Sequence, residues 1–137
     1  RMGDPETQPI LMRLKSDLVE VLCAAVDGRL DQVELQWDRR TALGVVMAAH
    51  GYPESPRKDD AINGLPQDAD DAMVFHAGTQ LDQDGVVRAS GGRVLCVTAL
   101  ADNARQAQQR VYDVARGIHF DGAQYRRDIG HRAIKGG

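Results

Sequence analysis

Four basic side chains, Arg126, Arg127, His131 and Arg132, fall within a seven-residue stretch that also holds Gly130. A planar guanidinium can donate two parallel hydrogen bonds to a phosphate, and glycine lets backbone approach a ligand closely. The stretch is therefore a candidate anion site; the competing reading is a solvated charged tail. On an extended chain successive side chains alternate faces, so one of Arg126 and Arg127 is expected to bind directly. The other is expected to pair with Asp128 or another acid. A second candidate is Gly91-Gly92-Arg93, a glycine turn whose exposed N–H groups beside an arginine suit an anion. It is also an ordinary hairpin turn, and it lacks the Gly-Lys-Ser/Thr of a P-loop. A third cluster, Arg1, Asp4 and Glu6, is polar and chemically competent. Carboxylates at that position also serve simply to complement a helix N-terminus.

Other chemistries are absent from the pattern. No Ser/His/Asp or Cys/His arrangement is visible, and the histidines at 50, 76, 119 and 131 lack zinc-ligand spacing. His76, before Gly78, reads as a structural side chain. Cys23 and Cys96 each sit in an apolar stretch and read as buried, unpaired thiols. The net charge of −3, with signs interspersed, argues against nucleic acid as a partner. No apolar run approaches the ~20 residues that cross a bilayer, so no membrane is expected. The N-terminus has no signal-peptide pattern, and the expected compartment is the cytoplasm.

The elements that must position these residues follow from apolar periodicity. Ile10, Leu11, Leu14, Leu18, Val21, Leu22 and Ala25 recur at helical spacing. They predict one long helix over 7–27, with Pro9 in its first turn and Gly28 as its C-cap. Residues 33–37 alternate like a half-buried strand. The continuous apolar runs at 42–49, 73–77 and 93–100 predict buried strands. Asp84-Gly85 marks a hairpin turn. Asp102 is expected to cap a helix running to about Arg116, and 118–120 to form a short edge strand. The class is α+β: a long helix leading into a mainly antiparallel β-sheet with one packed helix. With 42% apolar and 27% charged residues in a chain of 137, composition is that of an ordinary globular domain.

Arg1-Met2-Gly3-Asp4-Pro5-Glu6-Thr7-Gln8-Pro9 resembles the signature Arg-Phe-Gly-Asp-Pro-Glu-Thr-Gln-Pro of the phosphoribosylamine–glycine ligases, with Met2 as the single change. Further segments resemble the same family in order: the strand ending at Gly51-Tyr52-Pro53; Val74-Phe75-His76-Ala77-Gly78-Thr79; Gly91-Gly92-Arg93-Val94-Leu95; and Phe120-Asp121-Gly122 running into Tyr125-Arg126-Arg127-Asp128-Ile129-Gly130-His131-Arg132-Ala133. One departure is the loop Gly51 to Asp59, which lacks two glycines common in the family.

The resemblance implies an ATP-grasp enzyme that joins glycine to 5-phosphoribosylamine with ATP and Mg²⁺ or Mn²⁺, through an acyl phosphate of glycine. The family's metal ligands lie upstream of the residue matching Arg1. Residues 1–28 are then expected to end the ATP-grasp domain, and 29–137 to form the C-terminal domain. The chain is expected to be part of a longer ligase, inactive without the preceding N-terminal and ATP-grasp domains; the alternative is a stand-alone phosphoribosyl-binding or interaction module without catalysis. The resemblance further implies Asp4 as the group that orients the substrate amine and Arg1 as its partner at an acyl phosphate. Arg126, Arg127 and His131, with Gly92 and Arg93, are implied as holders of the ribose phosphate.

Overall fold

A computed structural model describes residues 2–136. The strands expected at 42–49, 73–77 and 93–100 are present. β1 (Thr41–Ala48), β2 (Ala72–His76) and β5 (Arg93–Ala101) form an antiparallel sheet in the order β1-β5-β2. β3 (Thr79–Leu81) and β4 (Val87–Ala89) form a separate hairpin around the Asp84-Gly85 turn. The central strand is β5, buried from Val94 to Leu100. Val45 lies opposite Val97, and Leu43 opposite Ala99.

Side chains alternate across the sheet. Leu43, Val45 and Met47, with Leu95, Val97 and Ala99, join the core built on α3 (Ala104–Gly117). Full burial of the Leu, Val and Met side chains among them contributes roughly 1.5–3 kcal/mol each. On the other face, α1 (Thr7–Arg13) packs on β1 and β5. Gly44 makes room for it: a Cβ there would lie 3.5 Å from Pro9 and 3.3 Å from the Cys96 sulfur. The Cys96 thiol sits in this seam near Thr98, and burial pushes its pKa up, leaving it inert. Asp71 grips Arg110 of α3 through two bonds, at 2.8 and 3.0 Å, which pull its carboxyl below the usual range.

The single long helix at 7–27 is corrected. Leu14 turns extended, and a second helix, α2 (Leu18–Val26), begins after Asp17. The Asp17 carboxylate accepts the N–H groups of Val19 and Glu20, an N-cap that restarts the helix. The backbone freed between them pairs elsewhere: Lys15 N–H donates to the Gln36 carbonyl at 2.8 Å, and Asp38 N–H to the Arg13 carbonyl at 2.7 Å. The strand expected at 33–37 is accordingly only a bridge between Leu14 and Trp37. Cys23 is corrected too: it is exposed, because α2 buries Ala24 alone. Gly28 does close α2 in a left-handed conformation, at φ 68°.

Two smaller corrections concern the C-terminal half. Asn103, not Asp102, caps α3, its side chain accepting the Gln106 N–H at 3.0 Å. β5 runs on to Ala101, so Asp102 falls in the bend between. The expected edge strand at 118–120 is a single bridge between His119 and Asn63. The basic tail ends in a short helix, α4 (His131–Lys135).

Candidate functional site

Four segments converge on a cavity of about 450 Å³ on the α1 side of the sheet. Its floor is Val46 and Ala48 of β1. Pro5 enters from the N-terminal loop, Tyr52 from the loop after β1, Arg93 from the start of β5, and Gln124 and Arg126 from the tail.

Local chemistry holds each segment in place. Ala49 N–H donates to the Gly92 carbonyl at 2.9 Å, tying the loop after β1 to the glycine turn. Gly51 takes φ 78°, and a Cβ there would meet the Ser55 carbonyl oxygen at 2.3 Å, so this tight winding requires glycine. Arg57 clamps the same loop, through Asp60 at 2.8 Å and the Asp121 carbonyl at 2.9 Å. The tail is fastened at both ends. Ala48 and Gln124 exchange backbone bonds at 2.7 and 2.9 Å. Farther along, the Tyr112 hydroxyl donates to the Arg126 carbonyl at 2.8 Å and accepts the Ile129 N–H at 3.0 Å. Burial raises the pKa of that hydroxyl, so it stays protonated and able to donate.

Asp4 lies at the rim, 3.4 Å from Arg93. Both side chains are about half exposed, so the pair contributes little stability; it places the two groups beside each other. Arg126 is held by Asp128 through two bonds, at 2.9 and 2.6 Å. That contact lowers the Asp128 carboxyl and raises the Arg126 guanidinium further. The pair sits in solvent, so an incoming anion can compete for Arg126.

The structure thus brings together Asp4, Gly92, Arg93 and Arg126. Arg127 and His131 lie apart from them. Arg127 points to a second cleft, of about 400 Å³, beside Gln109 and Arg116 of α3. His131 Nδ1 is spent on the Asp128 carbonyl, at 2.8 Å. Arg1 lies outside the described residues. The sequence reading passed over Tyr52 and Gln124 as site residues; their types carry no charge, and only the place of Tyr52 in the Gly-Tyr-Pro segment marked it. Among the described residues no three His, Cys, Asp or Glu side chains cluster as metal ligands. No helix among the described residues is long and apolar enough to cross a membrane.

Chemically, the cavity offers two guanidiniums for a multiply charged anion and a carboxylate beside one of them; the Gln124 side-chain amide donates to the Ala49 carbonyl at 3.3 Å, which leaves its second N–H and its oxygen for a hydroxyl. Its volume is in the range of small-molecule sites.

Residues 42–132 match the family model described as "Phosphoribosylglycinamide synthetase, C domain". A phosphoribosylamine–glycine ligase of Ralstonia nicotianae is 62% identical over 135 residues, which are 98% of this chain and 32% of the relative. One from Escherichia coli O157:H7 is 55% identical over 136 residues, 98% of this chain and 32% of the relative. The crystal structure of phosphoribosylamine–glycine ligase from Thermotoga maritima superposes with a TM-score of 0.74 at 34% identity, covering 94% of this chain and 31% of that one. The chain therefore spans about a third of the length of the relatives it matches.

Proposed function

The chain belongs to the phosphoribosylglycinamide synthetase C-domain family, and on that premise we propose that it serves as the C-terminal part of a cytoplasmic phosphoribosylamine–glycine ligase, which joins glycine to 5-phosphoribosylamine with cleavage of ATP in purine biosynthesis. The observation that carries the reading is the convergence of Arg93 and Arg126, from distant segments, on one cavity, with Asp4 paired to Arg93.

In this reading Arg93 and Arg126 hold the 5-phosphate of phosphoribosylamine, and Asp4 orients or deprotonates its amine. Gln124 reaches a ribose hydroxyl. Catalysis of this type is mostly positioning and neutralisation of charge. Among the described residues no three His, Cys, Asp or Glu side chains cluster as metal ligands, and in this reading the preceding part of the ligase would hold ATP and Mg²⁺ or Mn²⁺.

The N-terminal arm supports this division. Val19, Leu22, Val26, Leu30 and Trp37 are large, apolar and exposed, and all precede residue 42, where the family match begins. Two larger clefts, of about 650 and 670 Å³, flank α1 beside the same arm. These are the surfaces the ATP-grasp domain would cover, with residues 1–28 as its end.

The test of the site is binding of ribose 5-phosphate to the chain, followed by amide NMR. Shifts are expected at Gly92, Arg93 and 124–126, and Arg93→Ala should abolish them. Binding that maps only to Arg127 and Arg116, or survives Arg93→Ala, would place the phosphate elsewhere.

A further inference from the structure

We propose that Tyr52 is a positioning residue whose ring aims the Arg93 guanidinium into the cavity, with Gly92 as the seat that lets the ring lie there. The proposal deepens the phosphate site above and rests on it.

The guanidinium carbon of Arg93 lies 5.8 Å from the centroid of the Tyr52 ring, within the range of a cation–π contact. Arg93 needs such a support. It is the first residue of β5 and its side chain is 44% exposed, so nothing in the core fixes its rotamer. Its other partner is Asp4, an ion pair at 3.4 Å through Nε, with both side chains about half exposed. The ring differs in kind. It attracts the cation through the quadrupole of the ring and, unlike a carboxylate, takes up no N–H of the guanidinium as a hydrogen-bond acceptor would. Between a carboxylate and a ring, Arg93 is held in place without losing its capacity for phosphate.

The ring itself is seated by backbone. A Cβ at Gly92 would lie 2.5 Å from Tyr52 Cδ2 and 2.9 Å from Cε2, so the ring occupies the space that any other residue's side chain would take. Tyr52 N–H donates to the Ala49 carbonyl at 3.2 Å, and Ala49 N–H in turn bonds Gly92. Ring, turn and arginine form one unit. The Gly91-Gly92-Arg93 run is then more than a hairpin turn: glycine before the arginine admits the platform that orients it.

The contact has a spectroscopic signature, an upfield ring-current shift of the Arg93 Cδ and Nε protons. We would record it in the 137-residue chain together with the dissociation constant for ribose 5-phosphate, in wild type, Tyr52→Phe, Tyr52→Leu and Gly92→Ala. Phenylalanine keeps the ring, so the shift should persist and the constant should stay within about twofold. Leucine should abolish the shift and weaken binding about three- to tenfold. Gly92→Ala, which displaces the ring from the other side, should do the same and serves if the leucine variant does not fold. An unchanged shift and constant in Tyr52→Leu would overturn the proposal, as would a phenylalanine variant that behaves like leucine. If wild type showed the ring-current shift but Arg93→Ala bound ribose 5-phosphate normally, the phosphate reading would fall, and the Tyr52–Arg93 contact would be structural only.

Discussion

Asp4→Asn in a ligase containing this chain is expected to lower turnover by about 10²-fold or more, the scale of a lost general base, with little change in the KM for ATP. The carboxylate stands at the cavity rim, 3.4 Å from Arg93, where the amine of a substrate anchored by its phosphate would be presented. An amide fills the same volume and still accepts a hydrogen bond, but it does not take a proton. Folding should be nearly unaffected, because the Asp4–Arg93 pair is solvent-exposed and such pairs contribute about 0–1 kcal/mol. Loss of the pair should loosen Arg93, so a modest rise in the KM for phosphoribosylamine is expected as well. Steady-state kinetics with each substrate varied in turn would separate these effects. Unchanged turnover together with an unchanged phosphoribosylamine KM would remove Asp4 from the site.

The second large effect concerns the arginines. Arg93→Ala or Arg126→Ala should raise the KM for phosphoribosylamine roughly ten- to hundredfold, the equivalent of one charge-assisted hydrogen bond at about 1.5–3 kcal/mol. The KM values for glycine and ATP should move much less. Lysine at either position should rescue only in part, since an ammonium supplies a point charge without the planar fork. Arg127→Ala is the internal control: its side chain lines the other cleft, beside Arg116, and a change within about twofold is expected. A large effect at Arg127 with none at Arg93 and Arg126 would move the phosphate to the α3 side of the tail.

That separation of Arg126 from Arg127 shows what the sequence makes legible and what it does not. The basic cluster was visible in the sequence, and alternation along an extended chain predicted opposite faces, but with the arginine away from the ligand paired to Asp128; in the structure it is Arg126, on the cavity, that pairs with Asp128. Which face held the cavity depended on the bonds from Tyr112 and Ala48 that orient the tail. The buried strands were legible because continuous apolar runs have few alternatives. The long helix was not, because the apolar period passes undisturbed from Leu11 through Leu14 to Leu18. The break comes from the Asp17 cap and from backbone pairing of Leu14 with Trp37, a tertiary event. Cys23 failed for a related reason: periodicity marks α2 as apolar but says nothing about which neighbour covers it. Tyr52 was silent because its part in the site depends on Gly92, a residue far along the chain whose lack of a side chain becomes meaningful only in three dimensions.

The most direct measurement is ligase turnover, followed as ADP release with glycine, phosphoribosylamine and ATP present. It would compare the 137-residue chain alone with the same chain joined to the preceding two-thirds of the Ralstonia nicotianae ligase, whose matching region is 62% identical. The chain alone should be inactive, and the joined protein should turn over at ordinary enzyme rates, about 1–10³ s⁻¹. Turnover by the chain alone, or a folded chimera that binds ATP yet makes no product, would contradict its assignment as the C-terminal part of the ligase.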